Sequence, residues 1–334
     1  IIANNVATNN GGGLYNNSVA NATINNIIKN NTAVLGGGVY NVNNLILGSN
    51  AQIGMINEAN AATDGGGIYN AGTLTMSPSA AIKFNSAANG AGVYNEGTLT
   101  LDNTTISNNQ ATSSGGGIYN SLNTGSSLII NNNSLIENNS ITQPNGWGGG
   151  IYNAGTLTVN DSTIQSNNAG LGISSGGGIV NLSTGNSTLN NSEIKNNNAG
   201  AGGGITNTGI LTLDTLSTIS GNTATNNGGG IFNNSTSTLF IDNIIKNNTA
   251  VNGGGIYNMS TISLSSNAQI GGPNIADANT ATLGGGVYND STGIFAMNQD
   301  AAIEFNSASN NGGGVYNTGT LAFSETSVIA NNTA

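Results

Sequence analysis

Apolar residues in this chain fall in short alternating runs separated by Asn, Gly, Ser and Thr. Thr98-Leu99-Thr100-Leu101 and Thr105-Ile106-Ser107 show the pattern, apolar at every second position and bounded by polar turns. Successive side chains on a strand face opposite ways, so such runs predict short strands. A third run lies inside a hexapeptide, GGGIYN in its commonest form. It begins at Gly11, Gly36, Gly65, Gly90, Gly115, Gly148, Gly176, Gly202, Gly228, Gly253, Gly284 and Gly312. Copies are spaced between 25 residues (Gly11 to Gly36) and 33 (Gly115 to Gly148). That period leaves no room for two helices with their turns. Three strands and three corners per repeat describe one coil of a right-handed parallel β-helix. The expected class is all-β: a single-stranded β-solenoid of about 12 coils, each advancing about 4.8 Å, or about 58 Å in all.

The columns of this stack can be assigned from the alternation. The fourth position of the hexapeptide is always aliphatic, from Leu14 and Val39 to Val287 and Val315, and is expected in the core. The fifth is mostly Tyr but also Val180, Thr206 and Phe232, which points outward. The sixth is Asn throughout: Asn16, Asn41, Asn70, Asn95, Asn120, Asn153, Asn181, Asn207, Asn233, Asn258, Asn289 and Asn317. Facing inward at a corner, these amides can bond to their copies one coil above and below, as an inward Asn ladder. All four lysines follow the Ile of an I-x-x-N element (Lys29, Lys83, Lys195, Lys246), and Glu137 and Glu304 take the same slot. That slot is therefore solvated and the Ile before it buried.

Composition narrows the function. The 334 residues carry 5% charged and 5% aromatic side chains, 52 glycines, a net charge of −10, and no Cys or His. With four basic residues in all, the chain lacks the cationic footprint for nucleic acid or anionic lipid. No apolar run is long enough to span a bilayer, so no membrane insertion by this segment is expected. No composition shift marks a boundary, and 1–334 reads as one continuous solenoid. Within it, residues 1–117 resemble 218–334: Ile28-Lys29-Asn30-Asn31-Thr32-Ala33-Val34 returns as Ile245-Lys246-Asn247-Asn248-Thr249-Ala250-Val251. An extended loop, Asn50-Ala51-Gln52-Ile53-Gly54, returns as Asn267-Ala268-Gln269-Ile270-Gly271. This amounts to about one and a half copies of an eight-coil super-repeat. The chain begins and ends on copies of one element, Ile1–Ala7 and Val328–Ala334, and is expected to be a segment of a longer polypeptide or fibre.

The GGGIYN and GGGVYN elements, with IKFNSA at Ile82 and IEFNSA at Ile303, resemble the repeats of polymorphic outer membrane proteins. They are also similar to those of adhesin-like β-helix proteins of methanogenic archaea and other microbes. The resemblance covers the whole chain. It implies a pectate-lyase-like β-helix at a cell surface, with adhesion as its role.

Candidate chemistry is sparse. Asp102 with Glu137, and Asp214 with Asp242, are the carboxylate pairs that neighbouring coils could bring together for glycoside hydrolysis, with solvated corners as the plainer reading. No catalytic residue, metal ligand or cofactor site is assigned. The binding candidate is an outward aromatic strip of Tyr15, Tyr40, Tyr69, Tyr94, Tyr119, Tyr152, Phe232, Tyr257, Tyr288 and Tyr316. Its rings either stack on one another for stability or offer a face to glycans or a second molecule. Trp147, alone of its kind and in the longest coil, packs on its own loop or forms a contact. The threonines at Thr73, Thr98 and Thr156 read as ordinary strand formers. The expectation is a non-enzymatic extracellular or cell-surface protein, structural or adhesive, that associates with copies of itself end to end and side by side, or with surface glycans. A polysaccharide-binding or polysaccharide-processing β-helix is the alternative.

Overall fold

A computed structural model of the chain describes residues 1–123, 125–170, 175–234 and 236–334. It is an all-β solenoid of about twelve coils, each built from three strands. The sole helical element among the described residues is a 3₁₀ turn, Ile275–Asp277. Contacts group the coils into two compact units, Ile1–Gly170 and Leu171–Ala334, with six hexapeptides in each.

One coil of the first unit shows the plan. After the glycine corner come Ile68–Asn70, Thr73–Met76 and Ala81–Lys83, which enter three parallel sheets here called the tyrosine, leucine and isoleucine sheets. Pairing is in register, like on like: Val93 on Ile68, Tyr94 on Tyr69, Asn95 on Asn70. The second unit repeats this, with Ile256 on Val287, Tyr257 on Tyr288 and Asn258 on Asn289. Inward positions are aliphatic and sealed. The fourth-position column is fully buried from Val39 to Ile151 in the first unit and from Ile179 to Val287 in the second, as are Leu74, Met76, Leu99 and Leu101 of the leucine sheet. Burying each such side chain contributes about 1.5–3 kcal/mol. No coil can bury them alone, because the covering atoms belong to the coils above and below.

The glycine corner has a steric cause. The first glycine of each hexapeptide has positive φ, 67° at Gly65, and a Cβ there would lie 2.5 Å from the Ile68 carbonyl oxygen. The third packs against the next coil's backbone: a Cβ on Gly38 would meet the Gly67 carbonyl oxygen at 2.6 Å. A second left-handed column is filled mostly by Asn, at Asn30, Asn108, Asn138, Asn196 and Asn247, the non-glycine type that tolerates this conformation best. Phe84 and Phe305 occupy the same column at φ 60° and 56°.

Two features depart from the expected plan. Some coils add a short fourth pairing before the glycine corner, as in Ser86–Asn89 beside Gln110–Ser114, where buried Ala87 and Ala111 fill a narrow part of the core. The supposed extended loops are also corrected: Gln52–Ile53 and Gln269–Gly271 are isoleucine-sheet strands, with Ile53 on Ile28 and Ile270 on Ile245. Their buried Ile continues the column, and the true insertions follow them. Each insertion returns an acid to the lysine of the preceding coil, Glu58 to Lys29 at 2.7 Å and Asp277 to Lys246 at 2.8 Å.

Candidate functional site: the asparagine and tyrosine columns

The hexapeptide places its Asn at the end of a strand, where the chain turns, and the amide bonds both along the stack and to nearby backbone carbonyls. Asn95 Nδ2 donates to Asn120 Oδ1 of the next coil at 2.8 Å, to Gly97 O at 3.0 Å and to Ser127 O at 3.1 Å, while its Oδ1 accepts from Asn70 at 2.8 Å. The ladder runs Asn16 to Asn41, Asn70, Asn95, Asn120 and Asn153 in the first unit, with links of 2.7–2.8 Å. In the second it runs Asn181 to Asn207, Asn233, Asn258, Asn289 and Asn317, with links of 2.7–3.0 Å. All are buried except Asn317 in the last coil.

A second ladder was not anticipated. Asn31, Asn60, Asn85, Asn109, Asn139 and Asn167 form it in one unit, and Asn197, Asn222, Asn248, Asn279, Asn306 and Asn332 in the other. Most of these Oδ1 atoms take both a side-chain and a backbone N–H from the preceding coil, as Asn109 Oδ1 does from Asn85 at 3.0 Å twice. The last residue of I-x-x-N was its signal in most coils. At Asn60 and Asn279 the insertions separate it from its Ile.

The tyrosines project from the face opposite the aliphatic column and stack. From Tyr15 through Tyr40, Tyr69, Tyr94 and Tyr119 to Tyr152, centroids lie 5.1, 5.0, 4.9, 4.6 and 4.4 Å apart, within 21° of parallel. Trp147 joins this stack, 6.3 Å from Tyr152, and its backbone is held in the ladder by Ser113 and Gly115. In the second unit the column holds Val180 and Thr206, then Phe232, Tyr257, Tyr288 and Tyr316, the last three stacked at 4.7 and 4.9 Å. The faces of the interior rings are thus occupied by their neighbours. Tyr69, Tyr152, Phe232 and Tyr257 are at most 9% exposed, while Tyr15 in the outermost coil is 47% exposed.

Burial is the main reason the phenols titrate high. Tyr94 is pushed up to about 12 by burial first, then by Tyr119 and the Asp64 and Glu96 carboxylates. Burial also raises Tyr40, Tyr69, Tyr119, Tyr152, Tyr257 and Tyr288. Asp290 is raised by burial, but the Tyr257 hydroxyl at 2.7 Å and the Ser291 and Thr292 donors outweigh this and lower it overall.

The carboxylate pairs divide. Asp102 ends a leucine-sheet strand and accepts from Asn132, whereas Glu137 lies on the isoleucine sheet and accepts from Gln165. Asp214 and Asp242 follow strands paired Leu213 to Ile241, so they sit in adjacent coils on one groove.

Fold and columns together define a parallel β-solenoid of stacked repeats held by two asparagine ladders and an aromatic stack. No family model, curated protein or solved structure matches the chain.

Proposed function

We propose that the protein is a non-enzymatic structural repeat protein of the extracellular or cell-surface space, whose solenoid associates end to end with copies of itself. The observation that carries this is the use of the repeated columns in stacking: the aliphatic, Asn and Tyr positions of one coil pair with, bond to or stack on their own copies in the next. A chain whose repeated positions serve coil-on-coil contact has the make-up of a structural solenoid, and in-register strand edges are the surfaces through which copies of such a solenoid join. The likeness of the repeats to those of adhesin-like surface proteins supports the surface setting.

The test is light scattering of the purified chain across a concentration series, with electron microscopy of any oligomers. Concentration-dependent oligomers that lengthen along the solenoid axis are expected. A wild-type chain that stays monomeric throughout refutes end-to-end association.

A further inference from the structure

The outer face of the leucine sheet in the second unit carries a groove of about 400 Å³ that the columns do not explain. Its floor is the outward row Thr212, Phe240, Ser263, paired strand to strand. Its rim is the row Asp214, Asp242, Ser265, Asn298. Phe240 is 50% exposed. Its column neighbours Thr212 and Ser263 have no ring to lay against it, so one aromatic face is open in the way the stacked tyrosines are not. The equivalent outward row of the first unit is Thr75, Thr100, Ile129 and Thr158, without an aromatic.

The polar groups around this ring are held in place. Asp214 accepts from the Ser217 hydroxyl at 2.7 Å and the Asn191 N–H at 3.0 Å. Asp242 accepts from the Ser265 hydroxyl and from Asn267 Nδ2. Asn298 Nδ2 donates to the Ser263 hydroxyl at 3.0 Å. Two oriented carboxylates thus stand one coil apart beside an exposed ring. No third metal-ligating side chain joins them among the described residues, so they act as hydrogen-bond acceptors rather than as a metal cage. All four lysines lie on the isoleucine sheet, so nothing cationic here would draw an acidic ligand.

We propose that this groove binds a neutral glycan chain, with the apolar face of one sugar ring on Phe240 and its hydroxyls donating to Asp214 and Asp242. An exposed aromatic with a few convergent polar groups is the make-up of a ligand site. Hydroxyl-to-carboxylate bonds are of the strong, charge-assisted kind. A sugar ring is also similar in length to the coil rise of about 4.8 Å, so an extended chain along the solenoid meets one rim residue per sugar. An acidic polysaccharide would meet repulsion at the same rim.

Calorimetric titration of the full chain with cellohexaose, laminarihexaose and mannohexaose tests this, with a galacturonic acid hexamer and a chitosan hexamer alongside. At least one neutral hexamer should bind, and the galacturonic acid hexamer should not. Phe240→Thr, which installs the residue of the equivalent strand in the first unit, should weaken binding at least tenfold with the circular dichroism spectrum and Tm retained. Asp242→Asn should weaken it several-fold. Failure of all three neutral hexamers to bind, equal binding by Phe240→Thr, or binding of the chitosan hexamer alone overturns the proposal.

Discussion

Replacing Asn95 by Ala removes one rung from the middle of a ladder, and the cost can be worked from its partners. Asn70 Nδ2 loses its bond to Asn95 but keeps Gly72 O at 3.2 Å and Thr98 O at 3.0 Å. Gly97 O keeps the Ser127 N–H at 3.0 Å. Asn120 Oδ1 loses its 2.8 Å donor while the residue stays fully buried. One orphaned buried acceptor costs about 1–3 kcal/mol, and the remaining lost bonds add about 1 kcal/mol each. With the small void left behind, the sum is at least about 4–6 kcal/mol. Asn44→Ala is the control, since that side chain is exposed in the interior of the stack and its loss should cost about 0–1 kcal/mol. Stacked repeats open locally rather than in one step, so the assay is hydrogen exchange on peptides spanning residues 90–120, with urea melting as a second measure. Protection should fall there in Asn95→Ala and hold elsewhere. Equal effects of the two substitutions would refute the view that the ladder is a main stabiliser. Asn95→Asp sharpens the case, because a carboxylate would face Asn120 Oδ1, Gly97 O and Ser127 O, three acceptors. The acid must stay protonated to fold, so its folded pKa is raised; the variant should be most stable below about pH 4 and lose stability as pH rises from there.

The tyrosine column predicts alkaline sensitivity. Phenols raised by burial stabilise the fold fully below their unfolded value of about 10, and that stability is lost as pH rises from about 10 through the folded values. Tyrosinate absorbance should appear late, near or above the 12 of Tyr94, and together with loss of β-sheet signal; smooth titration near pH 10 with the fold intact would contradict the stack. Gly65→Ala should be severe, because positive φ costs about 1–2 kcal/mol for Ala and the new Cβ would also lie 2.5 Å from the Ile68 carbonyl oxygen. A Tm within a few degrees of wild type would show that the corner relaxes freely. Ala91, which already stands at the second position of one hexapeptide, marks where a methyl is tolerated.

The inner surface was legible in the sequence because its constraints repeat. Any residue that touches its own copy in the next coil must satisfy the same neighbour twelve times, so Ile68 and its equivalents, and Asn70 and its equivalents, stand out as invariant columns. The second Asn ladder was harder to see. Its residue follows a left-handed position that accepts Asn, Ser, Gly and Phe, and two insertions displace it from its Ile, so the column blurs when read by spacing alone. The outer surface gave least. Whether Tyr69 was open or covered depended on how closely its neighbours stack, and alternation alone reports the side of a strand, not its accessibility. Gln52–Ile53 was hidden for a related reason: a polar flank and a following glycine look like a loop until Ile28 is placed one coil away.

Stacking also determines where specific recognition can reside. An inward column cannot vary without leaving a void or an orphaned amide, and the aromatic column is committed to its own rings. Only outward positions between corners are free to change from coil to coil. There, a residue that breaks its row carries information that the fold does not require. Phe240 is such a break, set between Thr212 and Ser263 where the matching row of the first unit is Thr and Ile. Trp147 breaks its own row too, but it lies over Tyr152 and extends the stack. A ring that rests on another ring has a structural reason to be there; a half-exposed ring beside two fixed carboxylates has none in the solenoid itself. This asymmetry makes the second unit's leucine sheet, and not the longer tyrosine column, the surface on which a ligand should be sought first.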